Sequence, residues 1–218
     1  MLPRAQCSDS CSARPRARRY EGGSVTRQIA VTFDYRCPFA YNGHASMLAA
    51  VRGGADLDFR AHAFSLDQVH IPEGEAPIWE RSPEQWTGGL VGLLYGIAVR
   101  DHFSEHFHDV HLALFGIRHE QGKTLEEPAI RDAVSSCGLD VDAVAGEAWT
   151  DRSLKVLIAE HTEAVDRWAV FGVPTFIEGE HAAFVRFMDR GNPSDIERML
   201  ALLDWTDFNE FKRPTIPR

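Results

Sequence analysis

Residues Leu57 to Phe64 alternate in character. Leu57, Phe59, Ala61 and Ala63 fall on one face of an extended segment, and Asp58, Arg60, His62 and Phe64 on the other. A period of two with one apolar face predicts a β-strand. An earlier run, Gln28 to Phe33, is rich in apolar and β-branched residues and predicts a first core strand. Between them, Cys37 to about Arg52 carries a helix that Gly53-Gly54 closes. Strand, helix and strand over this length predict a right-handed βαβ unit with a parallel pair.

From Asp67 to about Ala169 the pattern turns helical. Pro72, Pro77 and Pro83 punctuate its irregular beginning, after which Trp86–Arg100 and Asp101–Arg118 show helical spacing. Gly122 and Pro128 interrupt before a helix ending near Gly138; a short helix follows over Val141–Ala148 and a longer one from about Ser153. A structureless loop of that length does not belong in a compact fold, so the block reads as an inserted helical domain, a lid over Cys37. Thr175–Ile177 and Ala183–Met188 then predict an antiparallel pair about the turn Glu178-Gly179-Glu180. Asn192-Pro193-Ser194 starts a last helix to about Asp204, with Ile196, Met199, Leu200 and Leu203 on one stripe. Residues 1–27 are rich in Arg, Ser, Pro and Gly without apolar periodicity, and read as a flexible tail. The expected organisation is an α/β sheet domain from 28–66 and 170–218, interrupted by helices over 67–169.

Composition narrows the function. With 218 residues of which 44% are hydrophobic, the chain can bury one ordinary core plus an elaboration. A net charge of −9 argues against nucleic acid as a partner. No apolar run approaches the ~18 residues that span a bilayer. The N-terminus also lacks the apolar core of a secretory signal, so the expected compartment is the cytoplasm. Cys7, Cys11, Cys37 and Cys137 then read as free thiols. Cys7-x-x-x-Cys11 could hold half a metal site, but no second pair or nearby histidine completes it. His102, His106, His108 and His111 cannot converge from one helix: at about 100° per residue the first two share an edge and the last two lie opposite. The stripe Phe103, Phe107, Val110 and Leu114 reads as core.

Cys37 carries the candidate chemistry. At a strand-to-helix seam it faces unpaired N–H groups and the positive end of the helix dipole, which predicts a partly exposed thiol with a lowered pKa. Pro38 suits the first helical turn. Asp34 could orient the loop or take a proton, with a loop-capping role the simpler reading. His161 is centred on the stripe Leu154, Leu157, Ile158, Val165 and Trp168, where a hydrogen-bonded core histidine is the commoner outcome and a site-facing one the alternative. Tyr35, Phe39, Tyr41, Trp79 and Trp86 could line an acceptor pocket.

The pairing of Cys37-Pro38-Phe39 with Gly172-Val173-Pro174-Thr175-Phe176 resembles the DsbA-like thioredoxin superfamily. Its cytosolic branch is the nearer match: mycothiol-dependent nitroreductase-like and FrnE-like proteins, kappa-class glutathione transferases and hydroxychromene-carboxylate isomerases. The resemblance runs from about Gln28 to Pro214. It implies a thioredoxin-like fold with a helical insertion, a cis bond before Pro174 and a backbone at Val173 that receives a thiol compound beside Cys37. Pro38, Phe39 and His161 would complete the binding site. It also implies a low-molecular-weight thiol, mycothiol or glutathione, as co-substrate, an electrophilic or oxidised second substrate and no tightly bound cofactor; a homodimer is compatible with it. The excess of Arg over Lys suits GC-rich coding and keeps mycothiol beside glutathione. Where dithiol members carry Cys-Pro-x-Cys, this chain has Ala40. Cys37 therefore has no resolving sulfur three residues on, which points to a monothiol oxidoreductase. A transferase or isomerase, or a degenerate binding protein, is the alternative.

Overall fold

A computed structural model describes residues 26–210. Cys7, Cys11, nearly all of the expected tail and the end of the chain from residue 211 lie outside the described residues. The sheet has the order β2-β1-β3-β4. β1 (Arg27–Phe33) and β2 (Leu57–Ala63) are parallel, in register from Arg27↔Leu57 to Phe33↔Ala63. They flank α1 (Pro38–Arg52), as the βαβ pattern predicts. β3 (Thr175–Glu178) is antiparallel to β1, through Ala30↔Ile177 and Val31↔Phe176.

β4 (His181–Phe184) pairs antiparallel with β3 and starts earlier and ends sooner than the alternation suggested. A two-residue turn joins Glu178 to His181, with Gly179 taking the left-handed backbone (φ 58°). At the other end the Val185 N–H donates to the Pro174 carbonyl (3.4 Å). Pro174 has no N–H to return, so the ladder stops there. The chain then leaves the sheet and buries Phe187 against Phe176.

The helical block comprises α2 (Leu66–Val69), α3 (Gly88–His102), α4 (Phe107–His119), α5 (Glu127–Ser136), α6 (Val141–Ala148) and α7 (Asp151–Trp168). Side-chain caps fix several starts: Thr87 accepts the Leu90 N–H, Asp140 those of Asp142 and Ala143, and Thr150 that of Ser153. α3 and α4 divide at Phe103, two residues later than the spacing suggested, because the backbone there (φ −135°, ψ 47°) is not helical. These helices share one apolar cluster with Phe33, Tyr35, Phe64 and Val173, so the block packs directly on the strand ends. A second cluster joins Ile29, Val31 and Phe176 to Met47 of α1 and to Ile196, Met199 and Leu203 of α8 (Pro193–Leu203). No helix of the described residues is long and apolar enough to cross a membrane.

Candidate active site

Cys37 is the N-cap of α1 and Pro38 its first residue. The loop that delivers it is built on Asp34, whose side chain is fully buried. That carboxylate accepts the N–H groups of Arg36 (2.9 Å) and Leu66 (2.9 Å) and the Arg36 guanidinium, while the Asp34 carbonyl accepts the Cys37 N–H (3.0 Å). Asp34 is thus the loop cap, the simpler of its two readings. Arg36 also pairs with Asp67, which accepts the hydroxyl of Thr87 at the start of α3. One partly buried polar network therefore ties the Cys37 loop to α2 and α3.

The Val173–Pro174 bond is cis, and the Cys37 Sγ donates to the Val173 carbonyl at 3.3 Å. Both motifs thus converge as the resemblance implies. Gly43 permits the approach: a Cβ there would stand 3.1 Å from Pro174 Cγ and 3.3 Å from Phe176 Cζ. The thiol is partly exposed, as expected, but its pKa moves the other way. Burial pushes it up, the N–H groups of Ala40 and Phe39 pull it down, Asp34 raises it again and Arg186 lowers it; burial wins. The contact with Val173 agrees, since only a protonated sulfur can donate to a carbonyl. Ala40 is completely buried below.

Behind this loop lies a hydrogen-bonded chain that the sequence reading missed. His44 Nε2 is 3.2 Å from the Thr32 carbonyl, His44 Nδ1 is 2.9 Å from His111 Nε2, and His111 Nδ1 is 2.9 Å from the Tyr35 hydroxyl. Donor counting sets every proton. A carbonyl only accepts, so His44 donates from Nε2 and accepts at Nδ1; His111 donates from Nε2 and accepts the Tyr35 O–H at Nδ1. Both histidines are neutral: burial pushes His44 down to about 3 and holds His111 well below its ordinary range. Tyr35 is held well above its own by burial. The available signal was helical spacing, since His44 shares a face of α1 with Tyr41 and Leu48, both buried. Thr32 Oγ1 accepts the Thr175 N–H (2.8 Å), which anchors the residue after Pro174 to β1 as well.

The other expectations separate. His161 is 6% exposed, accepts the Ser65 N–H at Nδ1 (3.2 Å) and packs on Phe64 and Trp79; burial first, then His62, push it down to about 4. This is the hydrogen-bonded core histidine. Phe107, Val110 and Leu114 are buried, and Phe103 packs beside them. Among the described residues no group of three or more His, Cys, Asp or Glu could hold a metal. Tyr35 and Tyr41 are buried, and Trp86 stacks on Trp149. Of the five aromatics only Phe39 stands in the first turn after the thiol, its ring 5.2 Å from the Arg186 guanidinium carbon. Pro38 is exposed beside it. Arg186 is the residue near Cys37 that the sequence reading did not single out.

No protein-family model and no curated protein matches the sequence. Solved structures do. A thioredoxin-like oxidoreductase from Silicibacter pomeroyi DSS-3 matches at 15% identity with a TM-score of 0.56, covering 81% of this chain and 86% of that one. The catalytic domain of Proteus mirabilis ScsC matches at 15% and 0.57, covering 84% and 85%. Pseudomonas aeruginosa DsbA matches at 19% and 0.56, covering 84% and 85%. The chain therefore has the α/β thioredoxin-like fold with a helical insertion that these structures share.

Proposed function

We propose that the protein is a thiol-dependent oxidoreductase that uses Cys37 alone with a low-molecular-weight thiol, glutathione or mycothiol, in the cytoplasm. The observation that carries this reading is the Cys37 Sγ set 3.3 Å from the Val173 carbonyl beside the cis Pro174, with alanine at residue 40. The likeness to proteins described as oxidoreductases supports it. In the reaction, Cys37 loses its proton and attacks one sulfur of a mixed disulfide between the thiol compound and a substrate. A sulfur–sulfur bond forms on Cys37 as the old one breaks, and the substrate leaves as a thiol. A second molecule of the thiol compound attacks the Cys37 adduct, releasing symmetrical disulfide and restoring the Cys37 thiol. Across the cycle one free thiol molecule is oxidised per mixed disulfide reduced, the other half of the symmetrical disulfide having entered already oxidised. Val173 and Pro174 hold the incoming compound by its backbone-like groups, with Pro38 and Phe39 at the rim.

The raised Cys37 thiol favours a second reading, in which the protein binds the thiol compound for transfer or isomerisation and supplies no thiolate. Intact-mass measurement after exposure to oxidised glutathione or oxidised mycothiol tests the choice. A single thiol adduct that Cys37→Ser abolishes, and that reduced thiol reverses, supports the oxidoreductase. Binding of the thiol compound with turnover but without an adduct supports the transferase.

A further inference from the structure

Arg186 follows β4 at the point where the Val185 N–H reaches the Pro174 carbonyl, which carries its backbone alongside the cis-proline loop. Its guanidinium carbon lies 5.2 Å from the Phe39 ring and 5.8 Å from the Phe184 ring, so it rests on a platform joining α1 to β4. Phe171, just before the cis-proline turn, extends that platform with its ring 4.9 Å from Phe184. These rings remain open to solvent: Phe171 is 66% exposed and Phe184 37%. Arg186 also lacks an acid. Arg27, Arg36, Arg52 and Arg190 each hold a carboxylate, whereas Arg186 makes no ion pair among the described residues. Arg190 stacks similarly, on Tyr41, yet is neutralised by Glu120. In a chain with a net charge of −9, a positioned and uncompensated guanidinium at the mouth of a thiol site is where an anionic ligand is attracted.

We propose that Arg186, held on Phe39 and Phe184 beside Cys37 and Pro174, is the carboxylate-recognition residue of this site, selecting a carboxylate-bearing thiol such as glutathione over an uncharged one. The inference rests on the thiol-dependent reading above and narrows its co-substrate. Guanidinium and carboxylate match as a two-point fork. Glutathione carries two carboxylates and mycothiol none, so the residue discriminates between the two. The influence of Arg186 on the Cys37 thiol agrees with this proximity.

The test compares Cys37 adduct formation from oxidised glutathione and from the uncharged bis(2-hydroxyethyl) disulfide, followed by intact mass in the full chain and in Arg186→Gln and Arg186→Lys. Losing the guanidinium slows both reactions by diminishing thiolate, so the readout is the ratio of the two rates, from which thiolate content cancels. That ratio should fall roughly tenfold in Arg186→Gln, about the worth of one charge-assisted contact. In Arg186→Lys it should be partly kept, and added salt should lower it in the native protein. A ratio unchanged by Arg186→Gln, with both disulfides still reacting, overturns the inference and leaves the thiol-dependent reading standing. Absence of any adduct from either disulfide in the native protein overturns both.

Discussion

Lowering the pH from about 7.5 to about 5 should strip a large part of the protein's stability without touching a carboxylate. The perturbation acts on buried histidines. His44 is pushed down to about 3 and His161 to about 4 in the folded protein, against ordinary values near 6.5 in the unfolded chain. The unfolded state therefore takes up protons first; the stability is fully present above about pH 6.5 and is lost as pH falls through that value toward the folded ones. At about pH 5 the exact folded values hardly matter, because both lie below it. Each histidine then costs about 2 kcal/mol, from 1.36 kcal/mol per pH unit over roughly 1.5 units, and the pair about 4. His111, His108 and His119 are all displaced downward by burial and act in the same direction. Against a net stability of about 5–15 kcal/mol, this loss is large. The geometry explains why the protons are refused. Protonating His44 would aim an N–H at the N–H of His111, with Phe33, Phe59 and Phe115 packed around and no carboxylate among the hydrogen-bonded groups Thr32, His44, His111 and Tyr35. Urea unfolding followed by tryptophan fluorescence at the two pH values measures the difference, and His44→Gln should remove about 2 kcal/mol of the pH dependence while lowering stability throughout. A loss below about 1 kcal/mol in the native protein would refute the reasoning.

Asp34→Asn should lower the Cys37 pKa, since Asp34 raises it, and should also cost about 1–3 kcal/mol of stability by leaving Arg36 with Asp67 as its one carboxylate partner and weakening the cap on the Leu66 N–H. The midpoint of iodoacetamide reactivity against pH, with denaturant unfolding, checks both. Ala40→Cys should let Cys37 close an intrahelical disulfide, because residues three apart on a helix are neighbours; turnover should then depend less on external thiol, and an undiminished dependence in protein shown to carry the disulfide counts against the oxidoreductase reading. Gly96→Ala should destabilise by about 1–3 kcal/mol, because a Cβ there overlaps the buried Tyr35 hydroxyl that donates to His111. Thermal unfolding measures this, and an unchanged midpoint would show that Tyr35 can move.

The thiol and its proline were legible because each sits in a local pattern: a proline after cysteine at a strand end, and Gly172-Val173-Pro174 before an apolar strand. The βαβ unit was legible from alternation, since a half-buried strand repeats every two residues. His44 and Arg186 were not, and for different reasons. His44 looks like a polar interruption of the α1 core face, and its partners lie 12 and 67 residues away along the chain, so only packing reveals that its donors and acceptors are used up. Arg186 falls inside the expected strand Ala183–Met188, where alternation would make it an ordinary outward residue. Pro174 cannot extend the ladder, and that missing N–H is what frees residue 186 to stand over Phe39.

The misjudged direction of the Cys37 pKa has the same origin. Helix position can be read from sequence, but its effect is fixed only after burial and neighbouring charges are counted. Here the N–H groups of Phe39 and Ala40 do favour the thiolate, and Arg186 adds to them. Burial and the Asp34 charge oppose them, and Asp34 cannot be dispensed with because it holds the loop that presents the thiol. The Val173 carbonyl favours the protonated sulfur in turn. On the proposed reading, a compound docked along Val173 would compete for that carbonyl and remove one of the contacts keeping the proton on sulfur. On that reading, a resting thiol held protonated would be a weak nucleophile, and its activation would follow occupancy of the site rather than the helix terminus alone.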